Sequence, residues 1–528
     1  DFMQEWVPRR ETYMEKIISL DGPPPSGVVC WQCSGMDGDP YRCLDCVGQP
    51  IYCTEHMRSS HGALPLHRIE KWVSEEGYFA PAWLGEIGVK IFLGHQGAPC
   101  DHGHPEEGTD ISDEEEDDLE APGAEVVLED RVTTERSMMK RAEKRKNFTW
   151  IVDTSGISQM ELVYCSCRNL DRDLQCLELK LWPASFIRIK TVFTFRVLED
   201  FRLDNLESRT SAYHYFAKLR RRTNPNFPHT VPDRYRELLR VSRQWRNVML
   251  LRERGFGHTK TEPKEGELAI FCPACPQPGI NLPENWDRTD PKFTRQLAVD
   301  GNFVAYHIAN AGAGDNVWLM DGQLFMAKRE EYLAHLQTTP VEDPRSTCHN
   351  HRAQLDKNMK TGNRDVTGIG AVACARHGCF CPGSVVDFQK GERQANIDYA
   401  LAQAFTFAFI VGILRLLLIY DIACQYYPNL SARWSTKRDL YWPEGLTVEP
   451  AIGLLHVHGH LDKCMAKYSA SYVQGMGRTD GEIVESLWST LNDTSRSTQT
   501  ASLPHRAEVL GDHIWDSNWK KHLTIGPC

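Results

Sequence analysis

The longest apolar run in the chain, AFTFAFIVGILRLLLIYD (404–421), approaches the length of a membrane span. Arg415 interrupts it and a polar helix start precedes it, so the pattern predicts a buried helix feeding a buried strand that ends at Asp421. Further upstream, RQLAVDGNFVAYH (295–307) alternates in the β-prone manner, with Asp300 near its middle. In RTDGEIVESLWSTLN (478–492) a turn at Gly481 precedes a helical stretch in which Glu482 and Glu485, three apart, share a face. Carboxylates in a first helical turn are common and mildly favourable with the helix dipole, so this pair by itself carries no function. YHYFAKLRRRT (213–223) and RYRELLRVSRQWRNVMLLRERG (234–255) have the stripe of amphipathic helices and are strongly basic. Such helices pack through the stripe and leave their bases in water, where they could also meet phosphates.

These patterns divide the chain into four zones. Residues 26–100, introduced by the Pro-rich DGPPPSG, are rich in cysteine and histidine; residues 101–147 form an acidic and then basic linker. Residues 148–262 contain VYCSC and the basic helices, and residues 263–528 alternate strand-like and helical runs, a mixed α/β pattern without internal repeats. At 528 residues the chain has room for three or four domains. Its net charge of −11 is misleading, because PEEGTDISDEEEDDLE (105–120) alone holds ten acids and no base. That run reads as solvated and disordered, and the rest of the chain is close to neutral. RVTTERSMMKRAEKRKN (131–147), with seven bases and two acids, reads as a helix: either a solvated face, or a nuclear-import or DNA-backbone contact. No membrane association is expected.

Most of the eighteen cysteines fall in C-x-x-C, C-x-C and C-x-x-H groups, the spacing of metal knuckles rather than of disulfides. Pairs at Cys30/Cys33, Cys43/Cys46, Cys53/His56 and His61/His67 provide eight ligands, enough for two tetrahedral zinc ions. A cross-brace, resembling B-box and related fingers, assigns Cys30, Cys33, Cys53 and His56 to one ion and Cys43, Cys46, His61 and His67 to the other. With every position filled, these zincs fold a module too small to rely on its own core. A third site could combine His95 and Cys100 with Cys165 and Cys167 across the acidic stretch; the competing reading makes the last two plain strand residues. CPAC (Cys272, Cys275) has no second pair nearby, whereas Cys348/His351 and Cys374/His377 could close one tetrahedral site. HVHGHLDKC puts His456, His460 and Cys464 at four-residue spacing on one helical face, which suits metal, packing or phosphate contact alike.

The wording around the acids is more specific. VDGNF, TGIGAVACARHGCFCPGSVVDFQKGERQANIDYAL, YDIACQYY, LHVHGHLDKC and GRTDGEIVESLW together resemble the KDZ (Kyakuja–Dileera–Zisupton) transposases of fungal and other eukaryotic mobile elements. VCWQCSG, CLDC, LGHQGAPC, VYCSC and CPACPQPGINLP are similar to the CxC-type cysteine cluster associated with them. The resemblance implies a ribonuclease-H-like α/β core with helical and zinc-binding insertions. It also implies a DDE-type enzyme that hydrolyses DNA at element ends and transfers the strand, with Mg2+ or Mn2+ at three acids. Double-stranded DNA is then the partner, the nucleus the place of action, and a homo-oligomer a further expectation. Asp300 of VDGNF and Asp421 of YDIACQ match the first two acids. The family's GE..ER.W pattern falls on Gly481, Glu482, Glu485 and Trp488, with Glu485 favoured as the third acid and Glu482 held in reserve. The family's Arg after the second Glu is Ser486 here, and relatives continue well past WDSNWKKHL. Together with a first residue that is not Met, this reads as a fragment or a decayed copy. The competing expectation is therefore a zinc protein that binds DNA or chromatin without chemistry; a zinc-dependent ubiquitin transfer finds no other support in the chain.

Overall fold

The computed structural model describes residues 1–35, 38–100, 148–167, 170–309, 316–339, 362–437, 439–477 and 479–525. The expectations for the acidic and basic stretch 101–147 and for Cys348 and His351 lie outside the described residues. The chain forms two compact units, one within Asp1–Gln244 and one from Trp245 onward. Both mix sheets and helices.

The first unit holds two sheets. Strands β1 (Pro40–Cys43), β2 (Ile51–Cys53), β3 (Ile69–Val73) and β4 (Tyr78–Ala82) make an antiparallel sheet in the order β2-β1-β3-β4. Helix α1 (Thr54–His61) follows β2 directly. Strands this short hold little apolar surface, and the core they share is built partly from cysteines, with Cys30, Cys43 and Cys53 packed among Tyr41, Met57 and Ile69. The second sheet has the order β5-β7-β6-β9-β8, with β5 (Lys90–Phe92), β6 (Phe148–Asp153), β7 (Gly156–Val163), β8 (Leu181–Pro183) and β9 (Thr191–Thr194). This sheet was not legible in the sequence, where the basic helices dominated the pattern. The sheet is followed by α2 (Phe195–Ser208) and then by the two basic helices, α3 (Ala212–Thr223) and α4 (Tyr235–Glu253). In α3 Tyr215, Phe216 and Leu219 are buried while Arg221 and Arg222 are exposed, as the stripe predicts. On α4 the rule fails at Arg243 and Arg246, which are buried. Arg246 lies in the second unit and donates from Nε to the buried Asp512 at 3.0 Å, because a guanidinium taken out of water needs a paired carboxylate.

The second unit is built on a five-stranded sheet in the order β14-β13-β10-β15-β16. Its strands are β10 (Arg295–Asn302), β13 (Gly368–Cys374), β14 (Val386–Phe388), β15 (Arg415–Tyr420) and β16 (Thr447–Ala451); β11 (His307–Ile308) and β12 (Arg364–Val366) form a separate two-stranded ribbon. β10, β13 and β14 form an antiparallel meander, whereas β15 and β16 run parallel to β10. β10 is buried along most of its length rather than on alternate residues, since a central strand is covered on both faces. Leu297, Val299, Leu416, Leu418 and Tyr420 point into one core, and Ala298, Leu417 and Ile419 into another. Helix α5 (Gln394–Phe407) covers the first face and is buried nearly all round. It is followed by β15, so the long apolar run is a buried helix leading into a strand. Among the described residues no helix is long and apolar enough to cross a membrane. Beyond β15 come the short α6 (Ala423–Tyr426) and α7 (Asp462–Tyr468). The opposite face is covered by α8 (Ile483–Asn492) and α9 (Leu503–Thr524). α8 seats Val484, Leu487, Trp488 and Leu491, an i, i+3, i+4, i+7 stripe in which each side chain contributes about 2 kcal/mol by burial.

Candidate functional site

The period of two that sorts side chains between the two cores also places the acids. Asp300 continues the face of Ala298, and Asp421 that of Ile419, so both carboxylates emerge on the side covered by α8. The parallel register sets Val299 beside Tyr420, which brings Asp300 and Asp421 side by side at the carboxyl ends of β10 and β15. Glu482 occupies the N-cap position of α8 and Glu485 its first turn. All four carboxylates, with Val299, Ile419, Gly481 and Val484, line one small hollow.

Each acid is held differently. Asp300 accepts from its neighbour's Gly301 N–H at 2.7 Å and from the Trp488 indole N–H at 2.8 Å. Burial, with Asp421 beside it, pushes its pKa up to about 7 despite those donors. Asp421 is lifted to about 6 by burial, with His456 working against the rise and the neighbouring Glu residues adding to it. Glu482 is only 10% exposed and accepts from the Leu455 N–H at 2.9 Å and from His456 Nδ1 at 2.7 Å. Glu485 is 56% exposed and meets His456 Nε2 at 3.4 Å, as Asp421 does at 3.3 Å. The two Glu side chains have therefore separated into one fastened from behind and one facing outward. Burial alone would depress the His456 pKa, but Asp421, Glu482 and Glu485 carry it above its ordinary value.

Two glycines make room for this arrangement. Gly481 has φ +89°, and a Cβ there would sit 3.0 Å from Gly453 Cα and from Ile419 Cγ2. A Cβ on Gly453 would lie 2.3 Å from Glu482 Oε1. Ser486, where the family pattern has Arg, is exposed and donates its hydroxyl to the Ile483 carbonyl at 2.7 Å.

Sequence reading missed one acid and left one base undecided. Glu392, inside QKGERQANIDYAL, is half-buried against Gly301 next to Asp300, accepts from the Tyr420 hydroxyl, and is raised to about 7 chiefly by desolvation. No periodicity marks it, since it lies in the turn before α5. Sequence spacing puts His456 on one helical face with His460 and Cys464, but a short 3-10 turn, His456–Gly459, ends before α7 begins. The two histidines consequently diverge, His456 toward the acids and His460 toward Cys424.

The cysteine and histidine residues gather into compact groups compatible with zinc. Cys30, Cys33, Cys53 and His56 come together, as do Cys43, Cys46, His61 and His67, in the interleaved pairing expected. Their S···N separations run from 3.1 to 3.5 Å. Tetrahedral zinc with bonds of about 2.3 Å to sulfur and about 2.0 Å to nitrogen needs an edge of roughly 3.5 Å. His61 offers Nε2 to this group because its Nδ1 donates to the Met57 carbonyl at 3.1 Å, the outer hydrogen bond that orients a ligating imidazole. His95, Cys100, Cys165 and Cys167 also converge; Cys165 and Cys167 follow β7 instead of lying in it, which removes the strand-face alternative. Among the described residues Cys374 and His377 also find partners. Their partners are Cys272 and Cys275, with Cys275 Sγ 3.1 Å from Cys374 Sγ and Cys272 Sγ 3.2 Å from His377 Nδ1. CPAC has no second pair nearby in sequence, but folding brings it to the end of β13 from about a hundred residues away.

Comparison with known families adds two findings. Residues 293–518 match the Kyakuja-Dileera-Zisupton (KDZ) transposase family, and residues 119–226 match the CxC2-like cysteine cluster associated with KDZ transposases. The four carboxylates and Cys374 and His377 lie in the first match, and Cys165 and Cys167 in the second. Cys30–His67 and CPAC lie outside both. No curated protein and no solved structure matches the chain.

Proposed function

Because the chain carries a KDZ transposase region together with the cysteine cluster that accompanies such transposases, we propose that it cuts and rejoins DNA phosphodiester bonds at the ends of a mobile element. The observation that carries this is the convergence of carboxylates from β10, β15 and α8 on one hollow. An acid on a central strand, a second on the neighbouring parallel strand and a third on a later helix is the constellation of ribonuclease-H-like polynucleotidyl transferases. The sheet, an antiparallel meander extended by two parallel strands, supports the same reading.

The donor set fits hard divalent cations, which take oxygen ligands and leave the thiols to zinc. Asp300, Asp421 and Glu485 would hold Mg2+ or Mn2+, while Glu482, fastened to Leu455 and His456, sets the position of α8's first turn. When bound, such ions activate a water or 3′-hydroxyl and neutralise charge at the leaving oxygen. The protein's own part is to orient and to exclude water. Trp488 and Gly301 fix both oxygens of Asp300, and Glu392 packs closely against Gly301 beside it. A groove of about 490 Å3 in the same unit, lined by Lys292, Thr294, Arg376, Thr479 and Ile483 among others, ends at the start of α8 and offers cations to a DNA backbone. DNA as substrate would place the action in the nucleus.

The test is nicking of element-end DNA in Mg2+ or Mn2+. Asp421→Ala should lose it while DNA retention on the same fragment stays within about twofold; wild-type nicking by that variant would end the proposal. One observation favours a second reading, a DNA- or chromatin-binding protein without chemistry. His456 stands between Asp421, Glu482 and Glu485 and partly neutralises them itself. Manganese titration separates the two, since a relic would bind no Mn2+ that Asp421→Ala abolishes.

A further inference from the structure

A fifth group of soft ligands lies outside the four already described. Cys424, His460 and Cys464 are all buried, at 7%, 7% and 3% exposure, and their ligand atoms lie within 4.8 Å of one another. Cys424 Sγ is 3.4 Å from His460 Nδ1, close to the edge of a tetrahedral zinc site. The three come from separate places: Cys424 from α6, His460 from the turn that ends the 3-10 segment, and Cys464 from α7. Two thiols and an imidazole of this kind are zinc donors and suit neither Mg2+ nor Mn2+.

We infer that Cys424, His460 and Cys464 bind a zinc ion, with a water completing the tetrahedron, and that this ion fastens the strand end carrying Asp421 to the turn carrying His456. Cys424 follows Asp421 by three residues and His460 follows His456 by four. The two segments that must be held at 3.3 Å between Asp421 Oδ2 and His456 Nε2 are thus cross-linked just behind their functional side chains. The zinc adds a cross-link to what Glu482 already supplies at His456 and the core supplies at α6, both of which are short segments of four residues. The ion is structural, and its presence does not depend on whether the acids perform phosphodiester chemistry.

Zinc content of the full chain tests this by native mass spectrometry, with the protein equilibrated in excess Mg2+ so that the carboxylates take up none. With the four four-residue groups filled, wild type should carry five zinc ions. Cys464→Ser and His460→Gln should each carry one fewer at unchanged far-UV circular dichroism, and His460→Cys, which restores a ligand, should recover the wild-type number. A folded Cys464→Ser protein with the wild-type zinc count overturns the inference. Should that variant fail to fold, the wild-type count decides, five supporting the site and four or fewer removing it.

Discussion

Trp488 illustrates how one side chain serves two ends. Its ring packs on Phe380 at 5.5 Å between centroids within the core under α8, and its N–H reaches Asp300. Trp488→Phe keeps most of the apolar packing and deletes the donor. A hydrogen bond to a carboxylate contributes about 1.5 kcal/mol, so nicking should fall roughly tenfold while the thermal midpoint moves by only a few degrees. At Gly481 stability carries the loss instead. A Cβ there needs a left-handed backbone and collides with backbone at Gly453, so Gly481→Ala should cost about 1–3 kcal/mol in urea unfolding. On Gly453 a Cβ would meet the Glu482 carboxylate first, so Gly453→Ala should push it off Leu455 and His456, costing about 1–3 kcal/mol and weakening Mn2+ binding.

At the scale of elements, the start of α2 is tied to the end of β6. Thr194 caps α2 by accepting from the Val197 N–H and donates its hydroxyl to Asp153 at 2.7 Å. Burial would push the Asp153 carboxyl up, but Arg196, the Ser155 N–H and Thr194 outweigh it and hold the pKa below its usual value. A carboxylate with a depressed folded pKa contributes stability above its unfolded pKa of about 3.9, and this is lost as pH falls through the folded value. The stability difference between wild type and Asp153→Asn should therefore be largest at neutral pH and shrink below about pH 4, read by urea titration at fixed zinc. α8 teaches a different lesson. Its stripe and its turn were legible in the sequence, because apolar spacing and a glycine are local signals. That Glu482 would be gripped by Leu455 and His456 while Glu485 faced outward was not, since both gripping groups arrive from 26 or 27 residues away.

Over the whole molecule, zinc and core divide the work unequally. In the first unit the first two ligand groups gather around strands of three to five residues, and the core there includes the cysteines themselves. The second unit has two extensive apolar cores, one on each face of a five-stranded sheet. Chelation should accordingly collapse the first sheet while the second unit persists, and limited proteolysis after chelator treatment should cleave within residues 26–100 well before 293–518. Cleavage at equal rates in both would show that the large sheet also depends on its metal.

The sequence by itself determined the knuckle pairing of Cys30 through His67, the buried helix-to-strand run, the mixed α/β character and the KDZ resemblance, since each rests on spacing, hydropathy or wording within a short window. Only tertiary structure decided that Cys374 and His377 join Cys272 and Cys275, that His456 and His460 part company, and that Glu392 lies beside Asp300. Those contacts are made by residues from roughly thirty to a hundred positions apart, brought together by the order of strands in a sheet. A chain's local pattern specifies which face each side chain takes, but not which distant segment will be waiting there.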